Sequence, residues 1–147
     1  MKLLIDADGC PVVDICLKLC RKYRTECILL CDTAHEFRKE GIQTLVFDKG
    51  ADSVDYAIAN RVTRKDLVVT QDYGLASLCL AKGARVIHQN GWMYTGDNID
   101  ALMFERHESR KYRASGGRIK GPKKRTAEND RAFEAALEKL LQTAVQG

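Results

Sequence analysis

Apolar residues recur along this chain with two alternating periods. Short aliphatic and β-branched runs occur at residues 2–6, 26–31, 44–47, 67–70 and 85–88. Each has the length and continuity of a strand buried on both faces. Between them the period becomes helical. Pro11 suits the first turn of a helix continuing through Val12, Ile15, Cys16 and Leu19, where its missing N–H is not needed. Asp52 or Ser53 caps a helix with Val54, Ala57, Ile58 and Val62 on one stripe. A third helix runs from Tyr73 to Lys82 and stops at Gly83. Residues 35–39 read as a short helical turn.

Strands alternating with helices imply parallel pairing through right-handed crossovers, with helices on both faces of the sheet. After His88 the pattern changes. Gln89-Asn90-Gly91 is a turn, residues 98–108 are helical through Ile99, Leu102 and Met103, and Ser115-Gly116-Gly117 and Gly121-Pro122 break order. An amphipathic helix at about 127–145 presents Phe133, Ala136, Leu137, Leu140 and Leu141. The expected architecture is one three-layer α/β domain over residues 1–147, with a mainly parallel sheet, a basic loop at about 106–125 and a C-terminal helix. A chain of 147 residues is long enough to bury roughly 70% of its unfolded surface. No apolar stretch reaches the ~20 residues of a membrane span, and the N-terminus enters a strand directly. A cytoplasmic location without a membrane partner is expected; oligomeric state is not legible.

Charge changes this picture most. Arg106, Arg110, Lys111, Arg113, Arg118, Lys120, Lys123, Lys124 and Arg125 face only Glu108, so this stretch carries +8 and the remainder −4 of a net +4. A basic arm on an otherwise acidic chain is a polyanion signal. The six cysteines change it least. Cys27 and Cys31 lie on a strand, ~13 Å apart at about 3.3 Å per residue, too far for a shared zinc or a disulfide. Cys16 and Cys20 lie among Val12, Val13, Leu17 and Leu19 as small buried hydrophobes.

The candidate chemistry is carboxylate chemistry. Asp6 and Asp8 end the first apolar run, in Leu3-Leu4-Ile5-Asp6-Ala7-Asp8-Gly9-Cys10-Pro11. In an open α/β sheet, ligands bind in the crevice at the carboxyl ends of the strands. Carboxylates there are costly unless a cation compensates them. Asp72 follows Val68-Val69-Thr70-Gln71, and Asp52 and Asp55 open a helix three residues apart, on one side of its first turns. If the first and fourth strands are neighbours, these carboxylates converge and suit Mg²⁺ or Mn²⁺. Plainer roles exist. Asp72 and Asp52 are ordinary N-caps, Asp55 complements a helix dipole, and Asp48 is a turn residue beside Gly50. Asp6 and Asp8 resist that reading, since one cap cannot use both.

Three chemistries place acids here. In a haloacid-dehalogenase-like phosphatase, Asp6 is the nucleophile and Asp8 a general acid, with Thr33 available but only Asp72 at the late acidic position. In a response-regulator receiver, Asp6 and Asp8 hold Mg²⁺, Asp48 is phosphorylated and Thr70 is the switch; the fifth strand lacks the Lys this requires. The third is metal-dependent phosphodiester hydrolysis.

Several segments together resemble the YaiI/YqxD family of small bacterial proteins of unknown function. They are Ile5-Asp6-Ala7-Asp8-Gly9-Cys10-Pro11-Val12, Gly50-Ala51-Asp52-Ser53-Val54-Asp55 and Val69-Thr70-Gln71-Asp72-Tyr73-Gly74-Leu75-Ala76, followed by Gly91-Trp92-Met93-Tyr94-Thr95 and residues 116–125. Gly9 and Ile119 stand where the family commonly has Ala and Thr, and neither change removes a ligand. The resemblance implies a PIN-like fold, whose nucleases gather carboxylates from strand one, an early helix and strand four around Mg²⁺ or Mn²⁺. Carried over, these match Asp6, Asp55 and Asp72, with Asp8 and Asp52 accessory. The later acid of such nucleases has no match, because His88-Gln89-Asn90 is neutral and Asp97 is distant.

The expected function is a metal-dependent ribonuclease. Asp6, Asp8, Asp55 and Asp72 serve catalysis, and Thr70 orients water or substrate or else bonds its own backbone. Arg110, Lys111, Arg113, Arg118, Lys120, Lys123, Lys124 and Arg125 hold RNA phosphates. Tyr112, Trp92 and Tyr94 stack on bases or pack in the core, and His35 and His107 are surface histidines with possible proton-transfer roles. The alternative from another class is a non-catalytic RNA- or ribosome-binding module with a structural metal site.

Overall fold

A computed structural model describes residues 1–32, 41–48, 53–118 and 124–146. The helical turn expected at 35–39, together with Thr33, His35, Asp52, Lys120 and Lys123, lies outside them. The elements are β1 (Lys2–Asp6), α1 (Val13–Lys22), β2 (Glu26–Asp32), β3 (Gln43–Phe47), α2 (Ser53–Arg61) and β4 (Leu67–Val69). They continue with α3 (Tyr73–Ala81), β5 (Arg85–Ile87), β6 (Met93–Tyr94), α4 (Gly96–Ala114) and α5 (Ala127–Gln146). The sheet order is β3-β2-β1-β4-β5-β6, parallel except for β6, which runs antiparallel to β5. This is a three-layer α/β arrangement, consistent with the PIN-like architecture the sequence leads one to expect.

Alternation along the strands divides the core into two. Leu3, Ile5, Cys27, Leu29, Cys31, Leu67 and Val69 pack with Leu17 of α1 and with Phe133, Leu137 and Leu141 of α5. Leu4, Ile28, Leu30, Val68 and Val86 face the other way, against Ile58 of α2, Leu75 of α3 and Ile99 of α4. Successive side chains on a strand point to opposite faces, so Asp6 follows Leu4 and Thr70 follows Val68 onto the α2/α3 side. Leu3, Leu4 and Ile5 are fully buried, each side chain contributing about 1.5–3 kcal/mol. The strand that delivers Asp6 is therefore among the best-anchored parts of the molecule.

Two boundaries differ from the sequence reading. The fourth helix begins at Gly96 and continues to Ala114, so Arg106, Arg110, Lys111 and Arg113 are helical and do not belong to a loop. Thr95 starts it with a reciprocal cap, its Oγ1 accepting from Asn98 N while Asn98 Oδ1 accepts from Thr95 N. The second difference is β6, a two-residue strand too short to carry a period. Among the described residues no helix is long and apolar enough to cross a membrane.

Candidate active site

The chain builds β2 and β3 on one side of β1, then returns to place β4 and β5 on the other. The switch point lies between β1 and β4, where Leu3, Leu4 and Ile5 stand in register with Leu67, Val68 and Val69. Ligand crevices form at such a point. The residues just beyond the register are Asp6 and Thr70, and Thr70 Oγ1 donates to Asp6 Oδ2 at 2.8 Å. The same hydroxyl accepts from Asp72 N at 3.0 Å, linking both acids through one buried side chain. The Thr70 hydroxyl thus bonds a local backbone amide, one of the two roles the sequence allows it, and an acid as well.

The other acids occupy distinct posts. Asp72 caps α3, its Oδ1 accepting from Gly74 N at 2.8 Å and Leu75 N at 3.2 Å, and Arg106 Nη1 approaches the same oxygen at 3.5 Å. Asp8 Oδ2 accepts from Asp32 N at 3.0 Å, fastening the loop after β1 to the end of β2. Gly9 continues that loop with φ +69°, a conformation glycine adopts without strain. Asp55 lies in the first turn of α2. Asp48 follows β3, which pairs with β2 and not β1. At roughly 4.8 Å per strand it is two strands from Asp6, which removes the receiver arrangement.

Electrostatics bind the acids together more than distance does. Burial pushes the Asp6 carboxyl up to about 7 against the lowering effect of the Thr70 bond, and Asp55, Asp72 and Asp8 raise it further. A half-buried acid beside three others is relieved either by a proton or by a cation. The donors are all hard oxygens, the chemistry Mg²⁺ or Mn²⁺ prefers. Among the described residues, however, no three His, Cys, Asp or Glu side chains form a cluster ready to hold a metal. The donor set fits such an ion in kind, while the side chains are not gathered at ligating distance.

The basic residues divide into two groups. Arg106, Arg110 and Arg113 of α4, with Ser109 and Tyr73, line an open cleft of about 420 Å³, which meets the acids through the Arg106–Asp72 contact. Lys111, Arg118 and Lys124 are exposed. Arg125 behaves otherwise. Its Nε donates to Asp130 Oδ1, Nη1 to Asn90 Oδ1 and Nη2 to Gln89 O, each at 2.8 Å, so it is a strut between the 88–91 turn and α5. Of the aromatics, Tyr94 is buried and donates to Thr70 O at 3.2 Å. Trp92 lies at the surface, stacked on His88 with centroids 4.3 Å apart, and Tyr112 is exposed. Of the two roles the sequence leaves open to these aromatics, core packing belongs to Tyr94.

The fold supplies acids where a dinucleotide-binding α/β protein of the same strand order has glycines. Asp6-Ala7-Asp8-Gly9-Cys10-Pro11 would repel a pyrophosphate, so the dinucleotide mode does not suit this crevice. Residues 4–143 match the family model described as "Uncharacterized BCR, YaiI/YqxD family". The chain belongs to the YaiI/YqxD family. Relatives extend over essentially the whole chain. A UPF0178 protein of Exiguobacterium sibiricum is 52% identical over 141 residues, covering 96% of each chain. A UPF0178 protein of Ruminiclostridium cellulolyticum is 47% identical over 147 residues, covering 100% of this chain and 96% of its own. The UPF0178 protein of Clostridium acetobutylicum is 46% identical over 143 residues, covering 96% and 97%. No solved structure matches the chain.

Sequence reasoning passed over Arg106 as a partner of Asp72, and over Gln71, His88, Asn90 and Asn129, which line a pocket with Arg125. For Arg106 a signal existed, since it shares a helical face with Arg110 and Arg113. Nothing in the sequence brings Asn129 to Gln71.

Proposed function

We propose that the protein hydrolyses phosphodiester bonds of RNA with the help of a divalent cation held by Asp6, Asp55 and Asp72. The observation that carries this reading is Asp6 at the β1–β4 switch point, its carboxyl raised to about 7 by burial and three neighbouring acids. Mg²⁺ or Mn²⁺ supplies water activation and charge neutralisation when bound. Near neutral pH the free Asp6 carboxyl is poised to give up its proton to make room for a cation. Thr70 fixes the direction of that carboxyl through its 2.8 Å bond. Arg106, beside Asp72, offers guanidinium donors to a phosphate, and Arg110 and Arg113 extend the positive track along α4.

A second reading is favoured by the posts that Asp8 and Asp72 already fill, each bonding backbone N–H groups. In that reading the acids are structural and the protein binds RNA without cleaving it. A haloacid-dehalogenase-like phosphatase is less well supported. Its general acid would be Asp8, whose Oδ2 already accepts the Asp32 N–H across the loop.

One assay separates these readings. Wild type and Asp6→Asn, purified in parallel, are incubated with a mixed single-stranded RNA pool, a DNA counterpart and a phosphomonoester, with and without millimolar Mn²⁺. The expected result is Mn²⁺-dependent RNA cleavage by wild type alone. Equal residual cleavage by both proteins would sink the enzyme reading and leave the binding module, and monoester hydrolysis would favour the phosphatase.

A further inference from the structure

Beside the acids, between the end of β5 and the start of α5, lies a pocket of about 300 Å³ lined by Gln71, Tyr73, His88, Asn90, Arg125 and Asn129, among others. That volume is at the small end of ligand cavities. Its wall is rigidly built. The three Arg125 bonds tie the 88–91 turn to α5. Asn90 N donates to His88 Nδ1 at 3.0 Å, and the imidazole lies flat on Trp92 with an interplanar angle of 10°. Gly91 has φ +96°, and a Cβ there would come within 2.7 Å of Ala132 O. Only glycine lets this turn dock on α5 so closely.

The pocket's chemistry is polar, charge-matched and rich in donors. Arg125 is matched by Asp130. His88 accepts at Nδ1, so its proton is on Nε2, which donates. Asn90 Oδ1 is taken by Arg125 and Asn129 Oδ1 by Thr126 N, which leaves the NH₂ of each amide as the group to offer. Gln71 brings a further amide. Donors without net charge suit a planar heterocycle with carbonyl oxygens and ring nitrogens better than they suit an anion.

Position narrows the ligand further. Gln71 directly follows Thr70, and its Nε2 lies 3.5 Å from where a Cβ on Gly9 would stand, against the acidic loop. Tyr73 lines both this pocket and the arginine cleft of α4. A strand crossing Tyr73 therefore meets three guanidinium groups against one carboxylate, Glu105, on one side and neutral donors on the other. That is the alternation of phosphate and base in a single-stranded nucleic acid; in a duplex the pairing edges of the bases are already used.

We propose that this pocket is a nucleobase subsite, taking one unpaired carbonyl-bearing base of a strand whose phosphates run along Arg106, Arg110 and Arg113. It rests on the nucleic-acid half of the reading above and is independent of cleavage. The test is equilibrium binding in EDTA, by anisotropy, of labelled oligouridine, oligoadenosine and an abasic phosphodiester strand of equal length. Fluorescence of Trp92, the chain's one tryptophan, is read in parallel. Wild type is expected to bind oligouridine about tenfold tighter than the abasic strand, tighter also than oligoadenosine, with a change in Trp92 emission. Gln71→Ala, at an exposed position, and His88→Phe, which keeps an aromatic face for Trp92, should each shrink that ratio by about threefold or more. Arg110→Ala should weaken oligouridine and abasic strand alike and leave the ratio intact. Equal wild-type affinity for the two strands overturns the subsite and leaves RNA binding standing. A preference for oligoadenosine overturns the donor-based reading, and no binding to any strand overturns both. A base preference without Mn²⁺-dependent cleavage supports the subsite and rejects only the nuclease.

Discussion

Asp6 and His88 are two half-buried titratable groups whose shifts act on stability in opposite senses. Asp6 is raised from 3.8 to about 7, so between those values the folded state holds a proton that the unfolded chain has released. Stability from this group is fully present below the unfolded value and falls as pH rises toward 7. His88 is lowered from 6.5 to about 4, first by burial and then by Arg125. Here the unfolded chain takes the proton first, and stability falls as pH drops from 6.5 toward 4. From pH 8 down to 6.5 the Asp6 contribution is not opposed by His88, and below 6.5 the two offset each other. The melting temperature should therefore rise from pH 8 to about 6.5 and then level off. Asp6→Asn should abolish the rise, and His88→Gln should let it continue toward pH 5; a thermal melt series in one buffer system decides. If Asp6 holds Mn²⁺ as proposed, proton and cation compete for it, and any stabilisation by millimolar Mn²⁺ should be larger at pH 8 than at pH 6. Asp66 shows what the sequence hides at this scale. It is 2% exposed and accepts from Lys2 N, Lys2 Nζ, Thr63 N and Thr63 Oγ1. Burial pushes its carboxyl up, yet these bonds hold it below its usual value. No local pattern marks it, because two of its donors come from the chain's second residue.

At the scale of elements, α4 and the turn before β6 are the informative pieces. The sequence reading ended the fourth helix at residue 108 because the residues beyond show no apolar stripe, and a helix polar on all sides gives no period to detect. Its N-terminal box and its packing on α3 through Leu102 carry the helix through Arg106, Arg110 and Arg113. Replacing those three arginines with Ala should lower the slope of log affinity against log salt for single strands by roughly 2, at about 0.7 per lost phosphate contact. An unchanged slope would assign the cleft to a protein partner. Gly91→Ala tests the docking of the 88–91 turn on α5. A φ of +96° with a backbone oxygen 2.7 Å from the new Cβ should cost on the order of 2–4 kcal/mol in chemical denaturation. A loss below about 1 kcal/mol would show that the turn rearranges freely.

Across the whole molecule, α5 closes the core on the face opposite the acids. Phe133, Leu137 and Leu141 are fully buried against the sheet and α1, and Lys18–Glu134 and Lys22–Glu138 ion pairs run beside them. The ion pairs are exposed and add little; the apolar contacts dominate. Phe133→Ala should cost about 3–5 kcal/mol and leave one cooperative transition by circular dichroism and Trp92 fluorescence together. Separate transitions would mean that α5 unfolds by itself. The same helix supplies Asp130 and Asn129 to the pocket side, so its docking holds both core and candidate subsite.

The sequence by itself determined the five parallel strands, the three early helices, the burial of Cys16 and Cys20 and the acids at the ends of β1 and β4. All of these rest on local pattern: short apolar runs, a 3.6-residue stripe, carboxylates where a strand stops. Tertiary structure alone decided which strands are neighbours, and hence that Thr70 bonds Asp6 while Asp48 stands two strands away. It also decided that Arg125 is a strut and Arg106 faces Asp72. Each of these joins residues more than thirty positions apart, apart from the cap they touch, and depends on crossovers whose lengths the local pattern does not encode. Local chemistry named the groups, and the order of the sheet chose which of them meet.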